Sequence, residues 1–394
     1  KYTLHTDPLR AFPVIAKLVA AAKRERRRLT LHFGLDVELG AAALCLIIDG
    51  GQPRDCGKHT HRTIVALARA LVAAGHRVFF CEEACGFGPY LVRQLCATGA
   101  NAVQVAPENL GGRRKTDKID ARQLAQQLYD FCTHHNRQRL RIVRDLGDER
   151  RRRRALGRQR AQLQKSRQML AGNGRGLMHD FGFYEVPEGW WGKRKWLKLR
   201  DKILAHNGGE WLLDMLTHLQ VTIQSLNARI LDLEQALAAT EPSESAAVPR
   251  PKGLGETSHH LITAETGDWG RFRNRGQASS FTGLCSSERS SALKRRQGGI
   301  DRLGNHRLRK QLVEAVWRLR TWNPGWRGFK KFPHVFAPGA RIGPAARKKA
   351  VVACARMLYV DLWRLNTGQT TLENLGLAPA SQPETAAETH HAAA

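Results

Sequence analysis

Apolar residues fall along this chain in two rhythms. Over residues 29–108, short apolar runs alternate with amphipathic stretches. LTLHFGLDV (29–37), ALCLIIDG (43–50), HRVFFCEEA (76–84) and NAVQVAPE (101–108) read as strands, the first two as a hairpin. HRTIVALARALVAAG (61–75) and PYLVRQLCATG (89–99) read as helices that end at glycine. Strands that alternate with helices predict an α/β sheet covered on both faces. ARQLAQQLY (121–129) reads as the body of a further helix.

The second rhythm is a heptad. Leu212, Leu216, Leu219, Ile223, Leu226, Ile230, Leu233 and Leu237 step by four and three in strict alternation, which predicts a coiled-coil seam that pairs protomers. The segments around these two patterns divide the chain further. Residues 1–28 form a basic lead-in, 29–135 the sheet domain, and 136–240 an arginine-rich helix, an insertion and the coiled coil. EPSESAAVPRPKG (241–253) is a linker. Residues 254–365 form a compact, mostly α-helical unit in which GNHRLRKQLVEAVWRL (304–319) is the clearest helix, and 366–394 a disordered tail of low complexity.

Charge narrows the function. The formal net charge is +29, which points to nucleic acid first and to an acidic membrane surface second. No apolar run is long enough to span a bilayer and no charged-then-apolar leader opens the chain, so a cytosolic protein is expected. Eight scattered cysteines suit reduced thiols. Cys81, Cys85, Cys132, His134 and His135 form only a weak zinc pattern, with Cys81 expected in the sheet core. Residues 137–160 hold eleven arginines against three acids, which suits a polyanion backbone or, alternatively, a charged disordered connector. Residues 174–209 read as irregular, with Trp190, Trp191 and Trp196 either stacking on unpaired bases or packing an insertion.

In this basic setting four carboxylates stand out. Asp36 lies on the first strand, Glu83 ends a central strand, and Asp117 and Asp120 open a helix three residues apart, on one face. Ligands of open α/β sheets gather at the carboxyl ends of strands. Hard divalent cations take oxygen donors, and a pair of them can clamp a phosphodiester. Each acid alone reads more often as a cap or a dipole-matched charge; their order in so basic a chain favours a metal site.

F-G-L-D-V (33–37), E-A-C-G-F (83–87) and K-T-D-K-I-D-A-R-Q-L-A (115–125) resemble the N-terminal motifs of the DEDD-type insertion-sequence transposases. F-R-N-R-G-Q-A-S-S-F-T-G-L (272–284) and the stretch from Glu288 to Trp317 resemble that family's second block. The resemblance implies a ribonuclease-H-like, resolvase-type first domain and a DNA recombinase that cuts and rejoins donor and target DNA under a noncoding guide RNA, the bridge RNA or seekRNA. It further implies Mg²⁺ (or Mn²⁺) on Asp36, Glu83, Asp117 and Asp120, and dimers that assemble into a tetramer in a bacterial, nucleoid-associated setting.

The family's nucleophile is a serine within an S-S-G or D-S-G motif, here Arg289-Ser290-Ser291-Ala292. Ser291 is the implied nucleophile and Ser290 the second choice; alanine stands where the family has glycine. G-L-G (253–255) is a degenerate version of the family's helix-hairpin-helix-like turn. Arg113, Arg114 and Lys115 beside the acids, and Lys294, Arg295, Arg296, Arg302, His306, Arg307, Arg309 and Lys310 beside the serines, read as backbone-phosphate contacts. Two rival readings stand: a resolvase-type nuclease using metal-activated water, and a decayed copy that binds DNA or RNA without cutting.

Overall fold

The computed structural model describes residues 8–106, 117–134, 140–206, 209–241, 248–288, 297–337 and 339–380, with backbone only for 117, 118, 288 and 297. The chain divides into two compact units, residues 1–145 and 146–394. No described helix is long and apolar enough to cross a membrane.

The first unit is a five-stranded mixed sheet. Its strands are β1 (Thr30–Val37), β2 (Ala41–Ile48), β3 (Arg54–Thr60), β4 (Arg77–Glu83) and β5 (Asn101–Val105), in the order β3-β2-β1-β4-β5. β1 pairs antiparallel with β2, and β2 with β3; β1 runs parallel to β4, and β4 to β5. The expected hairpin is therefore present. β3 was not foreseen: RDCGKHT carries no apolar alternation, because it is an edge strand with mostly exposed side chains.

Strand alternation sorts the side chains into two cores. Leu31, Phe33 and Leu35 of β1 and Val78 and Phe80 of β4 face one core. Helices α1 (Pro13–Arg24), α2 (His61–Ala73) and α3 (Tyr90–Cys96) pack there through Ile15, Ile64, Leu67 and Leu91. The lead-in thus contributes an amphipathic helix to this core rather than only basic charge. The opposite face is covered by α4 (Asp117–His134). Its Ala121 and Ala125 pack on Ala43, Cys45 and Ile47, while Leu124 and Leu128 pack on Cys81 and Val105. Burial pushes the Cys81 thiol up to about 12, so it sits in the core as a neutral apolar group.

The second unit opens with a helical hairpin. α5 (Gly147–Asp180) carries the arginine run well past Leu163, and α7 (Gly209–Ala239) carries the heptad. Arg160 bonds Glu234 and Arg167 donates to Asn227 at 2.9 Å, so the two helices run antiparallel. The expectation of a seam between protomers is corrected. Leu212, Leu216, Ile223, Ile230, Leu233 and Leu237 are buried within the chain itself, on α5 and its neighbours. A heptad specifies an apolar stripe, and that stripe is satisfied by any helix that covers it.

Residues 174–209 are also more ordered than expected. α5 reaches Asp180 and α6 (Lys193–Leu204) packs Leu199 and Ile203 under the hairpin. Trp190 is fully buried, its Nε1 donates to the Ala171 carbonyl at 3.1 Å, and Gly174 leaves room for its ring. Trp190 is a core residue, not a base-stacking platform. From residue 147 the arginine run is helical rather than a disordered connector, and several of its members are paired within the chain. Arg154 and Arg158 pair with buried Glu265 at 3.3 and 3.7 Å, Arg150 with Asp268 at 3.9 Å, and Arg153 is itself buried.

The remainder of this unit is helical around one core. It contains α8 (Glu256–Thr266), α9 (Arg275–Phe281), a two-stranded hairpin of β6 (Ser286–Glu288) and β7 (Gln297–Ile300), α10 (His306–Trp322) and α11 (Pro344–Asn366). Ile262, Leu312, Val316, Leu319, Leu358 and Tyr359 anchor that core. The tail expected to be disordered from 366 is instead structured at its start, with Leu372, Leu375 and Leu377 buried in this core; residues from 381 onward and 242–247 of the linker lie outside the described residues.

Because Leu216 is fully buried in the α5–α7 seam, truncation to alanine should cost about 2–5 kcal/mol of stability. Urea unfolding followed by helical circular dichroism measures this; a loss under about 0.5 kcal/mol would mean the seam is not covered as described.

Candidate active site

Asp36 and Glu83 end neighbouring parallel strands. The register pairs Gly34 with Cys81 and Leu35 with Glu82, so the next step places Asp36 beside Glu83. Alternation puts both on the face that α4 covers, with Gly34 and Cys81. Adjacent strands lie about 4.8 Å apart, so the two carboxylates are neighbours at the carboxyl end of the sheet. Both are half-buried.

Gly34 determines how α4 reaches them. A Cβ at this position would overlap the Ala121 carbonyl oxygen and the Ala125 amide nitrogen, so the helix backbone rests directly on β1. Further along, Tyr129 packs edge-on against His32, ring centroids 5.4 Å apart. The helix therefore runs opposite to β1. From Gly34 to Asp36 is about 6.6 Å along the strand, and one helical turn back from Ala121 is about 5.4 Å. The first turn of α4, with Asp117 and half-buried Asp120, thus lies level with Asp36. Backbone geometry thus places Asp36, Glu83 and the first turn of α4, which carries Asp117 and Asp120, at one end of the sheet. The Asp117 side chain lies outside the described residues, as do Arg113, Arg114 and Lys115. Among the described residues no group of three or more His, Cys, Asp or Glu is placed to hold a metal ion.

One acid escaped the sequence reading. Glu82 is 1% exposed and points into the opposite core, level with Leu35. Its Oε1 accepts from Gln104 Nε2 at 3.0 Å, while Oε2 has no hydrogen-bond partner among the described residues. Burial raises its pKa to about 7, against the smaller opposing pull of the Gln104 bond. The doublet Glu82-Glu83 thus splits: alternation sends one carboxyl into the core and the other to the candidate site. Nothing in the local sequence announced the buried member.

In the second unit, β6 and β7 bracket the serine motif. Ser286 pairs with Ile300 and Glu288 with Gln297. Ser290 and Ser291, with Lys294, Arg295 and Arg296, lie between them, outside the described residues. The base of this hairpin is tightly closed. A Cβ on Gly304 would overlap the backbone of Gly283, whose φ is +64°. Arg309 Nη1 donates to the carbonyls of Thr282, Arg302 and Gly304 at 3.3, 3.3 and 2.9 Å. Arg309 was expected to bind phosphate; its guanidinium instead fastens the foot of the hairpin. Asn305 caps α10 by accepting from the Arg307 and Leu308 amides and donates to Glu265 at 2.6 Å. Arg302, His306 and Lys310 are exposed beside this foot and Arg307 is half-buried.

Residues 247–331 match the family described as "Transposase IS116/IS110/IS902 family". The chain is 27% identical over 273 residues to the Pseudomonas aeruginosa protein named "Probable family 20 transposase", across 66% of this chain and 78% of that protein. It is 25% identical over 295 residues to the Coxiella burnetii "Transposase for insertion sequence element IS1111A", across 73% of this chain and 77% of that one. The chain is thus similar to insertion-sequence transposases over most of its length, and residues 247–331 match the IS116/IS110/IS902 family.

Two outcomes follow. Gly34→Ala forces a side chain into the α4 backbone and should cost about 3 kcal/mol or more; unfolding with wild-type stability would show that the helix does not rest there. Glu82 binds its proton more tightly folded than unfolded, so stability falls as pH rises from the ordinary carboxyl range, near 4.5, through about 7. Glu82→Gln should remove that slope and gain about 3 kcal/mol over wild type at alkaline pH. Denaturant midpoints of the two proteins on either side of this window test it, and parallel pH curves would sink it.

Proposed function

We propose that this protein is an insertion-sequence transposase that acts as an RNA-guided DNA recombinase. In this reading the sheet domain, residues 29–135, is ribonuclease-H-like and catalytic, and residues 254–365 carry the nucleophile. One observation bears most of the weight: the β1–β4 register runs to Leu35 and Glu82, so the next residues, Asp36 and Glu83, fall on one sheet face, and Gly34 seats α4 on β1 close to them. The strand order β3-β2-β1-β4-β5, antiparallel on one side and parallel on the other, supports the same reading.

Asp36, Glu83, Asp117 and Asp120 are the residues that would hold Mg²⁺ (or Mn²⁺). Their donor atoms are all carboxylate oxygens, which fit a hard divalent cation, and clustering such charges is otherwise repulsive. The bound ion would supply Lewis-acid polarisation of the phosphodiester. Ser291, with Ser290 as the second choice, supplies the hydroxyl. Its Oγ forms a bond to phosphorus and loses its proton, while one deoxyribose oxygen leaves and gains one. The phosphodiester's energy is kept as a phosphoserine bond until a DNA hydroxyl reverses the step in rejoining. The net charge of +29 suits a protein that holds nucleic acid, guide RNA as well as DNA. Assembly of dimers into a tetramer belongs to the same reading.

A trapping experiment tests it. The protein is incubated with its element's RNA, Mg²⁺ and labelled target DNA, then run on a denaturing gel beside Ser291→Ala, Ser290→Ala and Asp36→Asn. A protein–DNA adduct that persists in Ser290→Ala and disappears in the other two is expected. Cleaved DNA without any adduct means a hydrolytic nuclease, and binding without either product means an inactive binding copy.

A further inference from the structure

A recess of about 520 Å³ opens on the second unit, lined by none of the cationic groups singled out in the sequence. Arg275, Arg327, Lys331, Arg356 and Arg364 converge on it. Such a gathering of like charges is unfavourable unless something anionic resolves it. Among the described residues the carboxylate paired with this group is Asp361, which binds Arg327. Asp361 is 1% exposed, also accepts from Trp326 Nε1 at 3.0 Å, and fixes the Arg327 guanidinium at the wall of the recess. Five cations against one acid leave a surplus of 5 − 1 = 4 positive charges.

The construction is regular. Arg356, Val360 and Arg364 follow one another at four-residue steps along α11, with Met357 and Asp361 on the adjoining row. Arginines therefore flank an apolar strip made by Met357 and Val360. Arginine is the residue suited to phosphate, because its planar fork matches the oxygens. Met357 and Val360 offer an apolar surface against which the face of a base can pack, as apolar side chains do around an unstacked base. The volume falls within the roughly 300–1,000 Å³ of sites that enclose a small ligand. A base that is paired and stacked in a duplex cannot enter it.

We propose that this recess binds an unpaired nucleotide of a nucleic acid, its phosphate on the arginines and its base against Met357 and Val360. Its position gives the site a purpose. Arg356 also lines a second recess, of about 750 Å³, whose wall includes Ser286, Gly298 and Gly299 of the serine hairpin. An unpaired strand held here is therefore held next to the hairpin that carries the proposed nucleophile. Only this last link rests on the serine reading; the binding site stands without it.

The test measures binding by fluorescence anisotropy in the absence of Mg²⁺, so no cleavage enters the result. Three fluorescein-labelled probes are used: paired duplex DNA, single-stranded DNA and single-stranded RNA. Arg356→Ala/Arg364→Ala is compared with Lys198→Ala/Lys202→Ala, which removes two exposed charges elsewhere. The recess variant should lose about tenfold or more in single-strand affinity, while its duplex affinity falls no further than the control's. Loss with one single-stranded probe identifies DNA or RNA as the source, and loss with both identifies the shared backbone. Equal loss on duplex and single strands, or no selective loss, overturns the proposal. Arg275→Ala, at an exposed position, should give a smaller loss of the same selectivity, and Arg364→Lys should restore most of it. If the double variant does not fold, these two decide the matter.

Discussion

The candidate active site depends on one missing side chain. At Gly34 the backbone of β1 and the backbone of α4 touch with no Cβ between them. Any larger residue would lift the helix off the sheet by the width of a methyl group. Ala121 and Ala125 on the helix extend the same close approach toward β2. Because helix and strand are rigid over this distance, a contact at one point fixes the level of the helix start two residues further along β1. That is where Asp36 lies, with Glu83 beside it in register. Packing of small residues, not attraction among the carboxylates, sets the level of the helix start on the sheet.

The second unit is organised by an ion pair. Glu265 is buried, and Arg154, Arg158 and Asn305 converge on it. These partners come from α5, from the cap of α10 and, through Glu265 itself, from α8. A buried carboxylate without such donors would cost several kcal/mol, so each partner is required once Glu265 is inside. Asn305 also caps α10, and Arg309, one turn on, closes the foot of the serine hairpin. The arginine-rich helix is thereby tied to the segment that presents the proposed nucleophile, and part of the chain's large positive charge serves structure rather than nucleic acid.

Arginine therefore has three distinct uses here, which composition cannot separate. Arg154 and Arg160 neutralise acids of the same chain. Arg309 satisfies backbone carbonyls. Arg356 and Arg364 face a recess. The physical difference lies in which partner desolvates the guanidinium, and that depends on neighbours distant in sequence.

Much of the architecture was legible from periodicity. The hairpin of β1 and β2, the parallel strands β4 and β5, and the helices between them follow from runs of period two and of about 3.6. The positions of Asp36, Glu83 and Asp120 on those elements followed as well, because strand ends and helix starts are local features. The identity of what covers each apolar stripe was not legible. The heptad of α7 specified a buried seam, but only the fold assigned it to α5 of the same chain rather than to a partner. β3 left no trace because an edge strand needs no apolar face. Glu82 and Glu83 are chemically identical in the sequence, yet strand register sends one into a core and the other to the site. The recess on α11 was equally hidden, since its cations come from three separated segments. Local pattern fixes which surfaces must be buried or charged; tertiary packing alone decides against what, because that energy is shared by groups the chain does not place side by side.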